Sequence, residues 1–212
     1  MGLYNRNMEM RILRYHYTNS YLIQTNDGWL MFDCDCAGTF AKLAKAIKTE
    51  DISLGEVNYL LVSHFHPDHA GLAQTLKEMG VILLVMEEQR AFLHVQDAIY
   101  AKANDQQFKP ILEKDNLYLP CSHSRSFLAG LGLKGEVLHT PGHSEDSVSL
   151  ILDGEAVFHG DLPPFAQAEA YQNLKISQSW AAIMAKQPAF AYAGHWPKIS
   201  LPTLLARISE IA

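Results

Sequence analysis

An apolar run that leads directly into a cluster of histidines constrains the fold of this chain more than any other feature. Residues 57–63, VNYLLVS, have the length and composition of a buried strand. Four side chains that can bind protons or metals follow within six residues: His64, His66, Asp68 and His69. Side chains two apart in extended backbone share a side, and Pro67 favours extended backbone before it and a helix after it. We therefore expect the four groups to converge at the carboxyl end of a strand, where α/β proteins usually place their sites.

Three more candidate ligands follow predicted strands further along the chain. His143 stands in TPGHS, Asp161 in FHGDLPP and His195 in YAGHWP, each beside glycine or proline. The residues of the first cluster could instead cap the helix that follows Pro67, but that helix needs only one cap. The repeated placement at strand ends, added to the first cluster, predicts one polynuclear metal centre.

The order of predicted elements indicates two sheets packed together with helices outside them. Strands are predicted within residues 12–35, with a hairpin turn at Asn26-Asp27-Gly28, and at 57–63, 81–87, 136–140, 147–153, 156–160 and 190–195. Helices are predicted at 38–50, 71–80, 171–187 and 201–212, and residues 87–116 have a polar helical pattern that Pro110 interrupts. The length suits a single domain over residues 1–212.

Composition argues against several classes of partner. The net charge is −6 and no cluster of lysine and arginine occurs, so a nucleic-acid surface is not expected. The apolar run at residues 81–86 is too short to cross a bilayer, and the first thirty residues lack the pattern of a signal peptide. The three cysteines cannot all pair internally, which favours reduced thiols in a cytoplasmic protein. The pair Cys34 and Cys36 is disfavoured as a metal site because no second cysteine pair accompanies it.

These motifs, in this order along nearly the whole chain, resemble the metallo-β-lactamase superfamily: Asp33 after the hairpin strands, HFHPDH, PGH, GD and AGH. The resemblance implies an α/β fold, the four-layer αββα sandwich, with two mixed β-sheets and helices on the outer faces. It also implies two metal ions. The first would be bound by His64, His66 and His143, the second by Asp68, His69 and His195, and Asp161 would bridge both.

The ligand types allow zinc, iron or manganese, and zinc is the expected metal. Two divalent ions, two carboxylates and a bridging hydroxide leave one net positive charge, so we expect a small anionic substrate. Asp68, the only acidic residue of the first cluster, is the predicted catalytic residue, which would orient the nucleophile or carry a proton. Asp33 either supports a ligand histidine or caps the helix after it, and the sequence favours neither.

Differences between this chain and other branches of the superfamily narrow the range of reactions that we expect it to catalyse. The familiar β-lactamases have cysteine where this chain has Asp161, and the flavin-linked diiron members have glutamate at the position of His66. The chain resembles the glyoxalase II and lactonase branches, but only 17 residues follow His195, so we do not expect the glutathione-binding helical domain of glyoxalase II. We therefore expect hydrolysis of a small ester, thioester or lactone by a metal-bridged hydroxide.

Other reactions are retained as alternatives. The main one is a mononuclear iron dioxygenase of the persulfide type, which would use only His64, His143 and Asp161. A phosphodiesterase, a β-lactamase and a non-catalytic metal-binding protein are less favoured. Residues 87–126 could form a substrate lid, or their aromatic side chains could simply pack in ordinary helices: Phe92, Tyr100, Phe108 and Tyr118. The sequence does not specify the oligomeric state.

Overall fold

Two mixed β-sheets stacked face to face organise the structure. The computed structural model describes residues 9–168 and 172–201. Within these ranges the first sheet holds six strands, which lie in chain order: β1 (Met10–Arg14), β2 (Asn19–Thr25), β3 (Gly28–Phe32), β4 (Val57–Leu61), β5 (Ile82–Met86) and β6 (Leu117–Leu119). The second sheet holds five strands, which lie side by side in chain order: β7 (Gly135–His139), β8 (Val148–Leu152), β9 (Ala156–Phe158), β10 (Phe190–Tyr192) and β11 (Ile199–Ser200).

Strand pairing in the first sheet changes from antiparallel to parallel at β3. The hairpins put β1, β2 and β3 antiparallel, whereas β3 through β6 run parallel. In the second sheet β9 and β10 are parallel and the other pairs are antiparallel. Parallel neighbours need crossover connections, and these cover the sheet faces. The described residues form six α-helices: α1 (Phe40–Thr49), α2 (Pro67–Ala70), α3 (Ala73–Glu78), α4 (Asp97–Ala103), α5 (Ser124–Gly130) and α6 (Leu174–Met184).

The apolar side chains fall into three layers between four layers of backbone. Leu43 of α1 and Leu76 of α3 pack on the outer face of the first sheet. Phe32 of the first sheet meets Phe158 of the second in the central layer, with ring centroids 5.9 Å apart. The outer face of the second sheet packs against Trp180 of α6. The predicted αββα order is confirmed.

The helix predicted over residues 71–80 is split and begins earlier. It forms as α2 and α3, with a turn at Gly71 between them. A Cβ on Gly71 would lie 2.3 Å from the backbone nitrogen of Ala37. The close approach of these two backbones fixes the position of the turn, and with it the metal-ligand candidates in α2.

The polar helical pattern predicted for residues 87–116, with its interruption at Pro110, is wrong for most of the segment. A 3₁₀ segment over Glu87–Phe92 and the short helix α4 form instead, and α4 ends at Asn104, which has a φ of 52°. Two elements that the prediction missed follow: strand β6 and helix α5. Both are too short to leave a periodic pattern.

The aromatic side chains of this region are in ordinary packing contacts. Phe92 and Tyr118 pack against the outer apolar layer of the first sheet, and Tyr100 stacks on Phe108 with centroids 4.1 Å apart. The Tyr100 hydroxyl also donates to the carbonyl of Pro67 at 3.1 Å. These contacts fasten the segment to the start of α2.

The helix predicted over residues 201–212 lies outside the described residues from 202 onward. Among the helices that the structure describes, α6 is the longest at 11 residues, and none combines the length and apolar character that a bilayer crossing requires.

Candidate metal centre

Loops at one rim of the stacked sheets bring the seven predicted ligands together. His64 and His66 follow β4, Asp68 and His69 lie in α2, His143 lies between β7 and β8, Asp161 follows β9 and His195 follows β10. Their ligand-type atoms form two groups, each with all atoms within 4.8 Å of one another: His64, His66 and His143 in the first, and Asp68, His69, Asp161 and His195 in the second. The first group and the second share the rim but differ in donor type.

The first group consists of three imidazoles facing one another. His143 Nε2 lies 3.0 Å from His66 Nδ1, and the ring centroids of His64 and His66 are 4.5 Å apart. His64 Nε2 is buried without a hydrogen-bond partner. Burial, followed by the neighbouring imidazoles, holds the pKa of His64 well below its usual range. A neutral imidazole whose buried nitrogen lacks a partner is what a metal ligand requires, so the group fits a cation.

The second group mixes carboxylates with imidazoles. His195 Nε2 lies 3.2 Å from Asp68 Oδ2 and 3.3 Å from Asp161 Oδ2, and His69 Nε2 lies 3.3 Å from the same Asp161 oxygen. That oxygen is also 3.8 Å from His143 Nε2 in the first group. Asp161 therefore stands between the two groups.

Charge in the second group favours a cation. Hydrogen bonds to Asp161 and then Asp68 raise the pKa of His195 to about 11. Burial lowers the pKa of His69, but Asp33 and Asp161 outweigh it and raise that pKa to about 10. The carboxylates thus attract positive charge to both Nε2 atoms, and a divalent metal would satisfy the same potential by displacing protons.

Asp33 supports His69. The carboxylate is fully buried, and its Oδ2 lies 2.8 Å from His69 Nδ1 while its Oδ1 accepts from the Ser63 backbone N–H at 2.6 Å. Helix α1 is preceded by Thr39 at its N-cap, so Asp33 does not cap it. The His69 contact leaves Nε2 directed at Asp161, as in the carboxylate–histidine pairs that orient metal ligands.

Three supporting groups were not predicted from the sequence. The Ser63 hydroxyl lies 3.0 Å from both Asp33 Oδ2 and His64 Nδ1. The carbonyl of Tyr17 lies 3.1 Å from His195 Nδ1. Asp146 accepts from the Phe65 backbone N–H at 2.7 Å, which ties the loop after β4 to the second sheet. The position of Ser63 next to His64 is a signal in the sequence that it could contact the site. The contact of the Tyr17 carbonyl has no such signal, because every residue has a backbone carbonyl.

The other two strand histidines take different roles. His139, at the end of β7, is exposed, and its Nε2 lies 2.7 Å from the Glu145 carbonyl. His159 is buried against Trp180, with ring centroids 5.2 Å apart, and burial lowers its pKa to about 4. Neither belongs to the two ligand groups.

Gly194 leaves room for the second group. A Cβ at this position would lie 2.6 Å from both Asp161 Oδ1 and His69 Cε1. We expect Gly194→Ala to push these ligands apart and to weaken metal binding by about 100-fold, in line with other disturbances of ligand orientation. Equilibrium dialysis against zinc measures the change.

The matched control is Gly130→Ala, because a Cβ at Gly130 has no heavy atom within 4 Å. It should bind metal as the wild type does. Equal metal affinity in both variants would show that the close approach at Gly194 has no bearing on the site.

The chain is similar to known proteins in sequence and in fold. The family model described as "Metallo-beta-lactamase superfamily" matches residues 13–164. A Drosophila melanogaster protein named "Beta-lactamase-like protein 2 homolog" is 24% identical over 189 residues, which are 87% of this chain and 60% of that protein. An "Atrochrysone carboxyl ACP thioesterase" of Passalora fulva is 30% identical over 150 residues, 68% of this chain and 37% of that protein. The chain thus spans about 60% and 37% of the lengths of these relatives.

The fold is also found in solved structures. A metallo-beta-lactamase family protein from Thermus thermophilus superposes with a TM-score of 0.66 at 20% identity, covering 95% of this chain and 79% of that one. At this identity the likeness establishes the fold alone.

Proposed function

The chain belongs to the metallo-beta-lactamase superfamily, and we propose that it is a hydrolase which binds two divalent metal ions and cleaves a small ester, thioester or lactone. The observation that carries this proposal is the pair of ligand groups joined through Asp161 Oδ2, which lies 3.3 Å from His195 and His69 and 3.8 Å from His143. Zinc suits the mixture of imidazole and carboxylate donors, and iron and manganese remain alternatives.

A bound divalent ion would supply hydroxide at neutral pH and polarise the scissile carbonyl group. The residues of this chain hold the reactants in place around it. His64, His66 and His143 form a face of three imidazoles, while Asp68 and Asp161 add carboxylates on the other side. The net positive charge of the loaded centre favours an anionic substrate or an oxyanion.

Asp68 is the candidate for proton transfer. Its carboxylate is part of the second group, is about a third exposed, and lies 3.2 Å from His195 Nε2. Burial raises the pKa of Asp68, but hydrogen bonding to His195 and the charge of His69 outweigh it and lower that pKa. Asp68 is therefore ionised at neutral pH and can accept a proton or orient the nucleophile.

Asp68→Asn is expected to reduce kcat by about 100- to 10,000-fold at saturating zinc, the usual contribution of a general acid or base. Steady-state kinetics on a variant whose metal content has been verified measure this change in kcat. Normal turnover with normal metal content would remove Asp68 from the mechanism.

A thioester is the leading substrate class. The Passalora fulva relative is named an "Atrochrysone carboxyl ACP thioesterase", which supports this class of substrate. Two large side chains beside ligands are exposed: Trp196, next to His195, and Phe165, in the loop after Asp161. They border an apolar cavity of about 430 Å³ together with Leu162 and Trp180. None of the seven candidate ligands lines this cavity, but Trp196 follows His195 directly in the chain, and the exposed apolar surface supports a substrate with an apolar portion.

A substrate panel tests the proposal. It contains acetyl and longer acyl thioesters, a lactone, a phosphodiester and a β-lactam, each assayed with the zinc-loaded protein. We expect thioester or lactone hydrolysis, faster with longer acyl groups. Turnover of the β-lactam alone would contradict the argument from Asp161, and oxygen uptake with one iron per chain would favour the dioxygenase alternative.

A further inference from the structure

A third cluster of ligand-type side chains lies behind the second group. His16, Asp35 and Cys36 place their donor atoms within 4.8 Å of one another. Unlike the Nε2 atom of His64, the donor atoms of His16 and Asp35 have hydrogen-bond partners within the protein. Asp35 Oδ1 accepts from the Cys36 backbone N–H at 2.6 Å and lies 3.1 Å from His16 Nδ1. Burial and the charge of Asp35 raise the pKa of the Cys36 thiol to about 12, so it is not a ready thiolate ligand.

The other oxygen of Asp35 organises the turn between β1 and β2. Asp35 Oδ2 accepts from the backbone N–H groups of Tyr17 at 2.9 Å and Thr18 at 3.1 Å. Asp35 is fully buried and has a φ of 60°, a conformation that is uncommon for residues other than glycine. Its four contacts use the acceptor positions of the carboxylate and hold this backbone in place. Asp35 therefore fixes the conformation of the turn at Tyr17 and Thr18.

This turn, which Asp35 holds in place, contacts two members of the second group. The Tyr17 carbonyl accepts from His195 Nδ1 at 3.1 Å, because a carbonyl can only accept. The proton on Nδ1 leaves Nε2 free to face Asp68 and Asp161. The Thr18 hydroxyl donates to the backbone carbonyl of Asp68 at 2.6 Å. Each of these two contacts comes from a residue whose own N–H is bound by Asp35.

The first group is held by other contacts. The Ser63 hydroxyl meets His64 Nδ1 at 3.0 Å, and His66 and His143 face each other at 3.0 Å. The loop that carries His64 and His66 is tied down by Asp146, through the Phe65 N–H. A disturbance at Asp35 should therefore act on one group and spare the other.

We propose that Asp35 is a positioning residue which, through the turn at Tyr17 and Thr18, orients His195 and Asp68 to bind the second metal ion. This inference rests on the proposed dinuclear centre. In Asp35→Asn the amide nitrogen must face either the Tyr17 and Thr18 N–H groups or the Cys36 N–H, so at least one of these donors loses its acceptor.

The test is to titrate metal-free protein with zinc in a calorimeter. This measurement does not depend on catalytic activity. For Asp35→Asn we expect the first zinc to bind as in the wild type and the second to bind about 10- to 100-fold more weakly. Thr18→Val is a second variant, which keeps the test available if Asp35→Asn does not fold. It removes only the hydroxyl contact with the Asp68 carbonyl, and it should weaken binding of the second zinc.

Cys36→Ser is the matched control. It removes the thiol and keeps the backbone N–H that Asp35 binds, so both zinc sites should keep their wild-type affinities. A loss of one zinc in Cys36→Ser would show instead that the cluster itself binds metal, which would overturn the proposal.

Two further outcomes separate this inference from the proposed function. Wild-type protein that binds a single zinc would remove the dinuclear centre itself. Wild-type protein that binds two, with a folded Asp35→Asn variant that binds both unchanged or weakens both equally, would overturn the role of Asp35 alone.

Discussion

Replacing Asp161 with asparagine is expected to lower the rate of hydrolysis by about 1,000-fold, the upper end of the range for loss of one charge-stabilising group at a reaction centre. Asp161 is the one described carboxylate whose oxygen lies within 4 Å of both His195 in the second group and His143 in the first. Asparagine keeps the shape but removes the negative charge. The second metal should be lost, and binding of the first should weaken. Metal analysis and thioester kinetics on the same preparation measure both effects.

Asp27→Asn serves as the control, because Asp27 is exposed in the turn between β2 and β3, far along the chain from every ligand. It should keep the metal content and turnover of the wild type. An Asp161→Asn variant that holds two metals and retains full turnover would show that this carboxylate does not join the two groups.

The second large effect is on stability. Asp33→Ala should lower the free energy of unfolding of the metal-free protein by about 3–5 kcal/mol, because it breaks a buried ion pair and leaves His69 without its partner. His69 would lose its 2.8 Å contact, and the Ser63 N–H would lose a 2.6 Å acceptor, in a fully buried environment. Alanine is also poorly suited to the φ of 60° at this position. Urea denaturation of metal-free protein gives the value.

The same variant should bind the second metal weakly, because His69 would no longer be oriented. Asp27→Ala is the matched exposed replacement and should change stability by less than about 0.5 kcal/mol. A loss below about 1 kcal/mol in Asp33→Ala would mean that the buried contact with His69 contributes little.

Motifs at strand ends made much of the site predictable. The cluster from His64 to His69 follows a continuous apolar run, and such a run predicts a buried parallel strand with its carboxyl end at a site. His143, Asp161 and His195 repeat that placement, so the convergence of all seven side chains follows from sheet topology. The αββα order follows in the same way from the alternation of strands and helices.

The groups that hold the ligands could not be predicted in this way. The Tyr17 carbonyl contacts His195 across 178 positions of the chain, and any residue could supply that carbonyl. Asp35 resembles a loop aspartate until its partners are known. The break at Gly71 depends on how closely the backbone of Ala37 approaches. Each of these depends on tertiary contacts, which local patterns do not encode.

Zinc stoichiometry tests the central claim most directly. Metal-free wild-type protein, titrated with zinc and then analysed by atomic emission against a measured protein concentration, should bind two ions per chain. Binding of one ion or none, with the protein folded, would contradict a centre built from both ligand groups.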